Sequence, residues 1–212
     1  MMRLPVTIAT PKGPSVEGAG ANLLAELLEK LEQELRKQGV PVDEYFRPGA
    51  PAAEVRSTFA SNGLVAPDEA VVWFGWHDGV DRSRPSDKVL PKFFSWSLSE
   101  TVTSRLKLDP NFIGFEDWQV DPRWMQILGE QYGITVRCDD VPENPPLVRA
   151  LTFAEPSYAS TYTHQQVVSL CTPVTWWIEA LRQGLFTWLP EFDGWDIQDR
   201  KLPGDRSRTG MV

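Results

Sequence analysis

The soft nitrogen and sulfur donors of this chain are two histidines, His77 and His164, and two cysteines, Cys138 and Cys171. None of them falls in a metal-binding spacing. There is no His-x-Glu, no His-Glu-x-x-His and no Cys-x-x-Cys, so neither a structural nor a catalytic metal site is expected. Phosphate-cradling loops are missing too: no Walker loop and no Gly-x-Gly-x-x-Gly occurs, and no cofactor is expected. There is no Gly-x-Ser-x-Gly elbow to raise a nucleophilic serine. His77-Asp78 has the makings of a catalytic pair, because a carboxylate can orient an imidazole for base catalysis. Adjacent residues at a helix end seldom face each other, however. The plainer expectation puts His77 near a helix C-terminus, where positive charge is favoured. Carboxylates are plentiful, so a pair for hydrolysis stays open by residue type, with no pair singled out.

Nine tryptophans are the loudest feature of the composition. Trp73, Trp76, Trp176 and Trp177 lie in apolar helical stretches and are expected in the core. Trp96, Trp118, Trp124, Trp188 and Trp195 lie near loops or strands. A buried indole N–H needs an acceptor, which places some of these at the rim of a groove. Aromatic anchors are over-represented in protein interfaces, although core packing is the expected role of any single one.

The elements that must position these residues follow from periodicity. Met1 to Ala21 is rich in Gly, Pro and Ala and is expected to be largely flexible, with a short strand at Leu4 to Ile8. Asn22 to Gln38 is a helix: Leu23, Leu24, Leu27, Leu28, Leu31 and Leu35 form one stripe, Asn22 can cap it and Gly39 can end it. After a turn at Arg47-Pro48-Gly49, a second helix runs from Pro51 to about Asn62, with Val55 and Phe59 inward. Pro67 opens a third, with Asp68 and Glu69 in its first turn and an apolar run from Val71 to Trp76, ended by Gly79. Asp81 to Lys88 is a polar loop. Ser97 and Glu100 have the spacing of a capping box for a short helix to about Leu106. Trp124 to Leu128, Ile134 to Cys138 and Val148 to Phe153 read as strands, the first two joined by a turn at Glu130 to Gly133. Helix returns from about His164 to Gln183, where Pro173 forces a kink or break and Gly184 stops it. Helices, then a meander, then a helix is the segregation of an α+β fold. The expected organisation is a flexible segment over 1–21, one domain over 22–190 and an extension over 191–212 whose end, from Lys201, is disordered.

The 212 residues suit one domain that needs no metal or disulfide to fold. No run of 18 apolar residues occurs, and Met1 to Thr10 does not read as a signal peptide. The expectation is a cytoplasmic protein with reduced thiols and no membrane association. The net charge of −8 argues against a nucleic-acid partner and favours a basic protein partner. The charge is concentrated. From Asp109 to Glu143 there are eight acids (Asp109, Glu116, Asp117, Asp121, Glu130, Asp139, Asp140 and Glu143) against Arg123 and Arg137, a net −6. Solvated loops around strands explain such a run as readily as a binding face does.

The stretch from Arg47 to Gly79, RPGAPAAEVRSTFASNGLVAPDEAVVWFGWHDG, resembles the N-terminal signature of the SUKH superfamily. That signature is a Pro-Gly turn, a helix with Glu-Val near its start, Gly with an apolar residue, Pro, and a second helix ending in an aromatic residue and Gly. Here these are Pro48, Glu54-Val55, Gly63-Leu64, Pro67-Asp68, Trp76 and Gly79. The strand at Trp124 to Leu128, the turn at Gly133, the strand at Ile134 to Asp139 and the segment Glu155-Pro156-Ser157-Tyr158 follow in the family's order, over roughly Leu23 to Trp188. Leu64-Val65-Ala66-Pro67 departs from the commoner Leu-Pro pair, and Val80 to Lys92 matches no motif. The resemblance implies an α+β domain without an active site, acting either as a bacterial immunity protein that neutralises a toxin or as a scaffold like the fungal cell-wall assembly regulators.

The leading expectation is therefore a non-enzymatic immunity protein that occludes a secreted toxin with a basic surface. Glu116, Asp117, Trp118, Asp121, Asp139 and Asp140 are the expected contact residues. The alternatives are an intracellular regulatory scaffold without a toxin partner, which a neighbouring toxin gene would exclude, and a carboxylate-based hydrolase, which converging carboxylates in a deep pocket would favour.

Overall fold

The computed structural model describes residues 3–84, 89–91, 95–106, 123–129, 134–139, 144–152 and 163–197. The fold is α+β, with antiparallel sheets and helices segregated along the chain. Helix α1 (Ala21–Lys37) is the central strut. Its leucines recur at helical spacing, so Leu24, Leu27, Leu28, Leu31 and Leu35 all fall on one buried stripe against the helices Asp68–Trp76 and Cys171–Arg182. Gly39, at φ 88, lets the chain reverse so that Val40 N–H reaches Leu35 O at 3.1 Å and Gly39 N–H reaches Arg36 O at 3.0 Å. The start differs from expectation: Gly20, not Asn22, precedes the first turn, and no side chain caps it.

A short helix α2 (Val42–Tyr45) leads into strand β3 (Phe46–Pro48). Helix α3 (Ala52–Ser61) buries Val55 and Phe59, and helix α4 (Asp68–Trp76) buries Ala70, Val71, Trp73 and Phe74. The apolar run predicted α4 correctly, but the helix stops at Trp76. His77–Val80 leaves it as strand β4, which pairs with β3 through a register shift. Gly49 makes this junction possible. A Cβ there would overlap the Gly75 carbonyl, and the close approach allows Ala50 N–H to bond Phe74 O at 2.8 Å.

Helix α5 (Leu98–Leu106) begins with the expected capping box: Ser97 N–H bonds Glu100 Oε2 at 2.8 Å and Glu100 N–H bonds Ser97 Oγ at 3.1 Å. Strands β5 (Trp124–Gln126), β6 (Ile134–Arg137), β7 (Leu147–Thr152) and β8 (Thr163–Val168) form one antiparallel meander in that order. Met125, Ile134, Val136, Val148 and Val167 line its core face. The Glu130–Gly133 turn lies outside the described residues.

The expected helix from His164 is two elements. Thr163–Val168 is strand β8, in register with all six residues of β7, and helix α6 begins at Cys171 and ends at Arg182. Pro173 neither kinks nor breaks it. The proline is the third residue of α6, within the first turn, where an N–H has no intrahelical acceptor to lose.

The described residues add one hairpin before α1 and another after α6. Before α1, strands β1 (Thr7–Thr10) and β2 (Gly13–Val16) form a hairpin, with Val16 fully buried and Gln166 Nε2 donating to Lys12 O at 3.0 Å. After α6, β9 (Phe186–Leu189), a 3-10 turn (Pro190–Phe192) and β10 (Gly194–Ile197) form another. Tyr45 Oη donates to Asp193 Oδ1 at 2.7 Å and Trp195 Nε1 to Val89 O at 3.2 Å, fixing that hairpin to the body. The predicted tail from Lys201 lies outside the described residues.

Leu27 has no exposed surface. Leu27→Ala is expected to cost about 2–5 kcal/mol in a urea melt. A loss below about 1 kcal/mol would mean that the stripe is not packed as described.

Candidate functional site

Of the six expected contact residues, the described structure contains Asp139; Glu116, Asp117, Trp118, Asp121 and Asp140 lie outside it. Asp139 follows β6 and is not a bare anion. Arg137 Nε bonds its Oδ2 at 2.6 Å, and Arg123 approaches its Oδ1 at 3.8 Å. Register explains the grouping. Trp124 opposes Arg137 and Thr135 opposes Arg149, so all four lie on the sheet face turned away from the core. There the Arg149 guanidinium lies 4.1 Å from the Trp124 ring centroid and that of Arg137 5.8 Å. Trp124 itself is 5% exposed, so it is a buried platform for cations and not an exposed anchor. The expected acidic face is, at this point, a patch of mixed charge.

The other tryptophans divide differently from the expectation, with Trp76 at the margin and Trp96 and Trp188 in the core. Trp73, Trp96, Trp176, Trp177 and Trp188 are buried, whereas Trp76 and Trp195 are half-buried. Trp76 Nε1 donates to Glu32 Oε2 at 3.0 Å and Trp176 Nε1 to Thr7 Oγ1 at 3.4 Å. Trp118 lies outside the described residues.

His77 and Asp78 do not form a catalytic pair. Asp78 Oδ1 accepts from Leu98 N–H at 2.6 Å and so helps start α5. The His77 ring stacks on Phe46 with 4.5 Å between centroids. Its Nδ1 faces Arg47 O at 3.1 Å and its Nε2 faces Glu32 Oε2 at 3.2 Å. Both partners are acceptors. Burial alone would raise the Glu32 carboxyl. The hydrogen bonds from Arg36, Trp76 and His77 outweigh it and hold that carboxyl below the usual range. Arg36 also forks onto Asp43 at 2.6 and 2.7 Å, so this network ties α1, α2, β3 and β4 together.

Two further carboxylates bridge helices below the surface. Glu34 of α1 accepts from Arg182 Nε of α6 at 3.0 Å and lies 3.1 Å from Lys37 Nζ. Burial opposes its charge, but those two cations hold its pKa down. Glu69, in the first turn of α4, is 1% exposed. Its Oε2 accepts from Leu170 N–H at 2.6 Å and its Oε1 lies 2.7 Å from Ser169 Oγ, at the start of α6. Ser169 is held at φ 75, a left-handed conformation rare for a side-chain-bearing residue. Its hydroxyl also accepts from Cys171 N–H at 2.9 Å. Burial pushes the Glu69 carboxyl up to about 7 against these donors, and burial with the nearby Glu69 pushes the Cys171 thiol up to about 11. Cys171 and Cys138 are both buried, and no disulfide joins them.

Sequence reasoning placed Glu69 only as a first-turn acid. Its partners lie about a hundred positions away, and no local pattern announces them. Among the described residues no cluster of three or more His, Cys, Asp or Glu could hold a metal, and no helix is long and apolar enough to cross a membrane. No family model matches the chain, and no curated protein matches it.

The Glu69 geometry carries a pH prediction. Its folded pKa of about 7 lies above the reference 4.5, so its protonated form is favoured in the folded state. That contribution is fully present below about pH 4.5 and is lost as pH rises through 7, a swing of about 3 kcal/mol. Glu69→Gln removes the titration. Urea melts from pH 4.5 to 8 should show wild type losing stability relative to the variant by this amount. A difference that does not vary with pH would show that Glu69 does not change protonation in this range.

Proposed function

We propose that this chain is a non-catalytic protein-binding domain, and that it acts as an immunity protein, holding a basic toxin by stoichiometric occlusion. The observation that carries this reading is the disposition of four buried or half-buried acids. Glu32, Glu34, Glu69 and Glu100 are each engaged by an N–H donor or a cation from another segment of the fold. These four acids are committed to architecture, which supports a reading in which surface charge serves recognition.

The excess acidity from Asp109 to Glu143 supports the same reading. Because β5 and β6 run antiparallel with Trp124 opposite Arg137, the chain enters β5 and leaves β6 at one end of the meander. The sequence is acidic on both sides of that end, at Asp121 before β5 and at Asp139-Asp140 after β6. A basic toxin surface would be drawn to such a region over a Debye length of about 8 Å at physiological salt. The resemblance to SUKH proteins and their immunity branch fits this mechanism, and a cytoplasmic location, where an incoming toxin would act, is part of the same proposal. The neutral pairings at Asp139 set a limit within the proposal: the attraction arises from Glu116, Asp117 and Asp121 more than from Asp139.

The test is the association rate. A stoichiometric partner recovered from native extract is immobilised, and binding is followed by surface plasmon resonance at low and high salt. Changing Glu116, Asp117 and Asp121 together to Gln, Asn and Asn should slow association on the order of tenfold at low salt, with a smaller effect on dissociation. An association rate indifferent to both salt and the triple change would reject the acidic-face mechanism.

A further inference from the structure

The N-terminal hairpin carries an unused edge. Strand β1 pairs with β2 on one side, and no described strand lies on the other. Val6 O accepts from Glu17 N–H at 3.0 Å, and the β1–β2 register continues from that pair. Alternation along an antiparallel ladder then turns the backbone groups of Val6, Ile8 and Thr10 toward β2 and those of Thr7 and Ala9 outward. Val6 is 49% and Ile8 39% exposed, and both project from the same face of the strand.

Three properties make this edge self-complementary. Pro5 and Pro11 bound it, so only the residues between them can pair. From Leu4 to Pro11 there is no charged residue, although the chain carries −8, so two copies can approach here without meeting like charges. The Lys or Glu residues that usually discourage edge pairing are missing from a β-branched run, Val6-Thr7-Ile8.

We propose that β1 pairs antiparallel with β1 of a second copy about a two-fold axis through Ile8, giving a closed, weak homodimer. In that register Thr7 exchanges two N–H···O bonds with Ala9 of the partner subunit, and the symmetry repeats the exchange. The two Ile8 side chains meet at the axis, flanked by Val6 of each copy. Pairing consumes both edges, so assembly stops at two. This inference does not depend on the identity of any toxin partner.

Sedimentation velocity on the full chain, from about 1 to about 500 µM, tests it. The weight-average mass is expected to rise from 23.9 kDa toward twice that value with concentration. Ile8→Lys places two cations at the axis. Ala9→Pro removes an outward donor while leaving the pairing to β2, because Ala9 opposes Pro14 at a non-hydrogen-bonded position. Each variant should weaken dimerisation at least about tenfold, with an unchanged thermal melt showing that the fold is intact. In wild type, the Thr7 and Ala9 amides should gain hydrogen-exchange protection as concentration rises. A chain that stays at 23.9 kDa throughout overturns the proposal, as does self-association that neither variant weakens. Protection of these amides only after a different protein is added would also overturn it, assigning the edge to a partner's strand.

Discussion

A carboxyl group removed from water holds the two halves of this fold in register. Glu69 sits in the first turn of α4 and reaches the first turn of α6, where it meets the Leu170 N–H and the Ser169 hydroxyl. The first N–H groups of any helix lack intrahelical acceptors, and burying them unpaired costs roughly 1–3 kcal/mol each. Here one acceptor comes from another helix. At the corner between β8 and α6, Ser169 occupies the left-handed region; its hydroxyl takes the Cys171 N–H while Glu69 takes that of Leu170. Because β8 closes the meander and α6 packs on α1, this one contact fixes how the sheet meets the helical layer.

The same logic extends outward through α1. Glu34 pairs with Arg182 and so sets α1 against α6, while Glu32 gathers Trp76, His77 and Arg36 and so sets α1 against the β3–β4 junction. Ion pairs like these add little when exposed, but these lie at half-buried seams where leucine packing alone would allow sliding. Apolar burial supplies cohesion between the helices, and directional contacts choose among their packings. Each such contact uses an acid that a sequence reader would otherwise offer to chemistry.

What the sequence discloses follows from how local the cause is. The leucine stripe of α1, the Ser97–Glu100 box and the alternating strands β5 to β7 are set by spacings within one element, and they stand where periodicity puts them. Elements decided by remote partners were misread. Thr163–Val168 becomes a strand because β7 offers it a six-residue ladder, and α4 yields to β4 because β3 lies alongside. Glycine and proline before α1 suggested loose chain, yet they build a tight hairpin. Of the expected site, Asp139 can be placed, and its two arginine neighbours come from strand register. Nothing in the sequence nearby could have indicated Arg149 lying over Trp124, because that contact reaches across an intervening strand.

Pro14 has a consequence for how the molecule opens. Facing β8, this residue has no N–H to offer, so β2 lies beside the meander without joining its ladder, and the Gln166 side chain makes the hydrogen bond to Lys12 instead. The N-terminal hairpin is thereby attached through side-chain packing, chiefly Val16 and Ser15, and its own ladder is complete without the larger sheet. Stability is then not shared evenly. On that basis the hairpin is expected to open at less cost than global unfolding, with the four-stranded meander left in place. A segment so attached can exchange neighbours on a timescale of its own while the body of the protein keeps its shape.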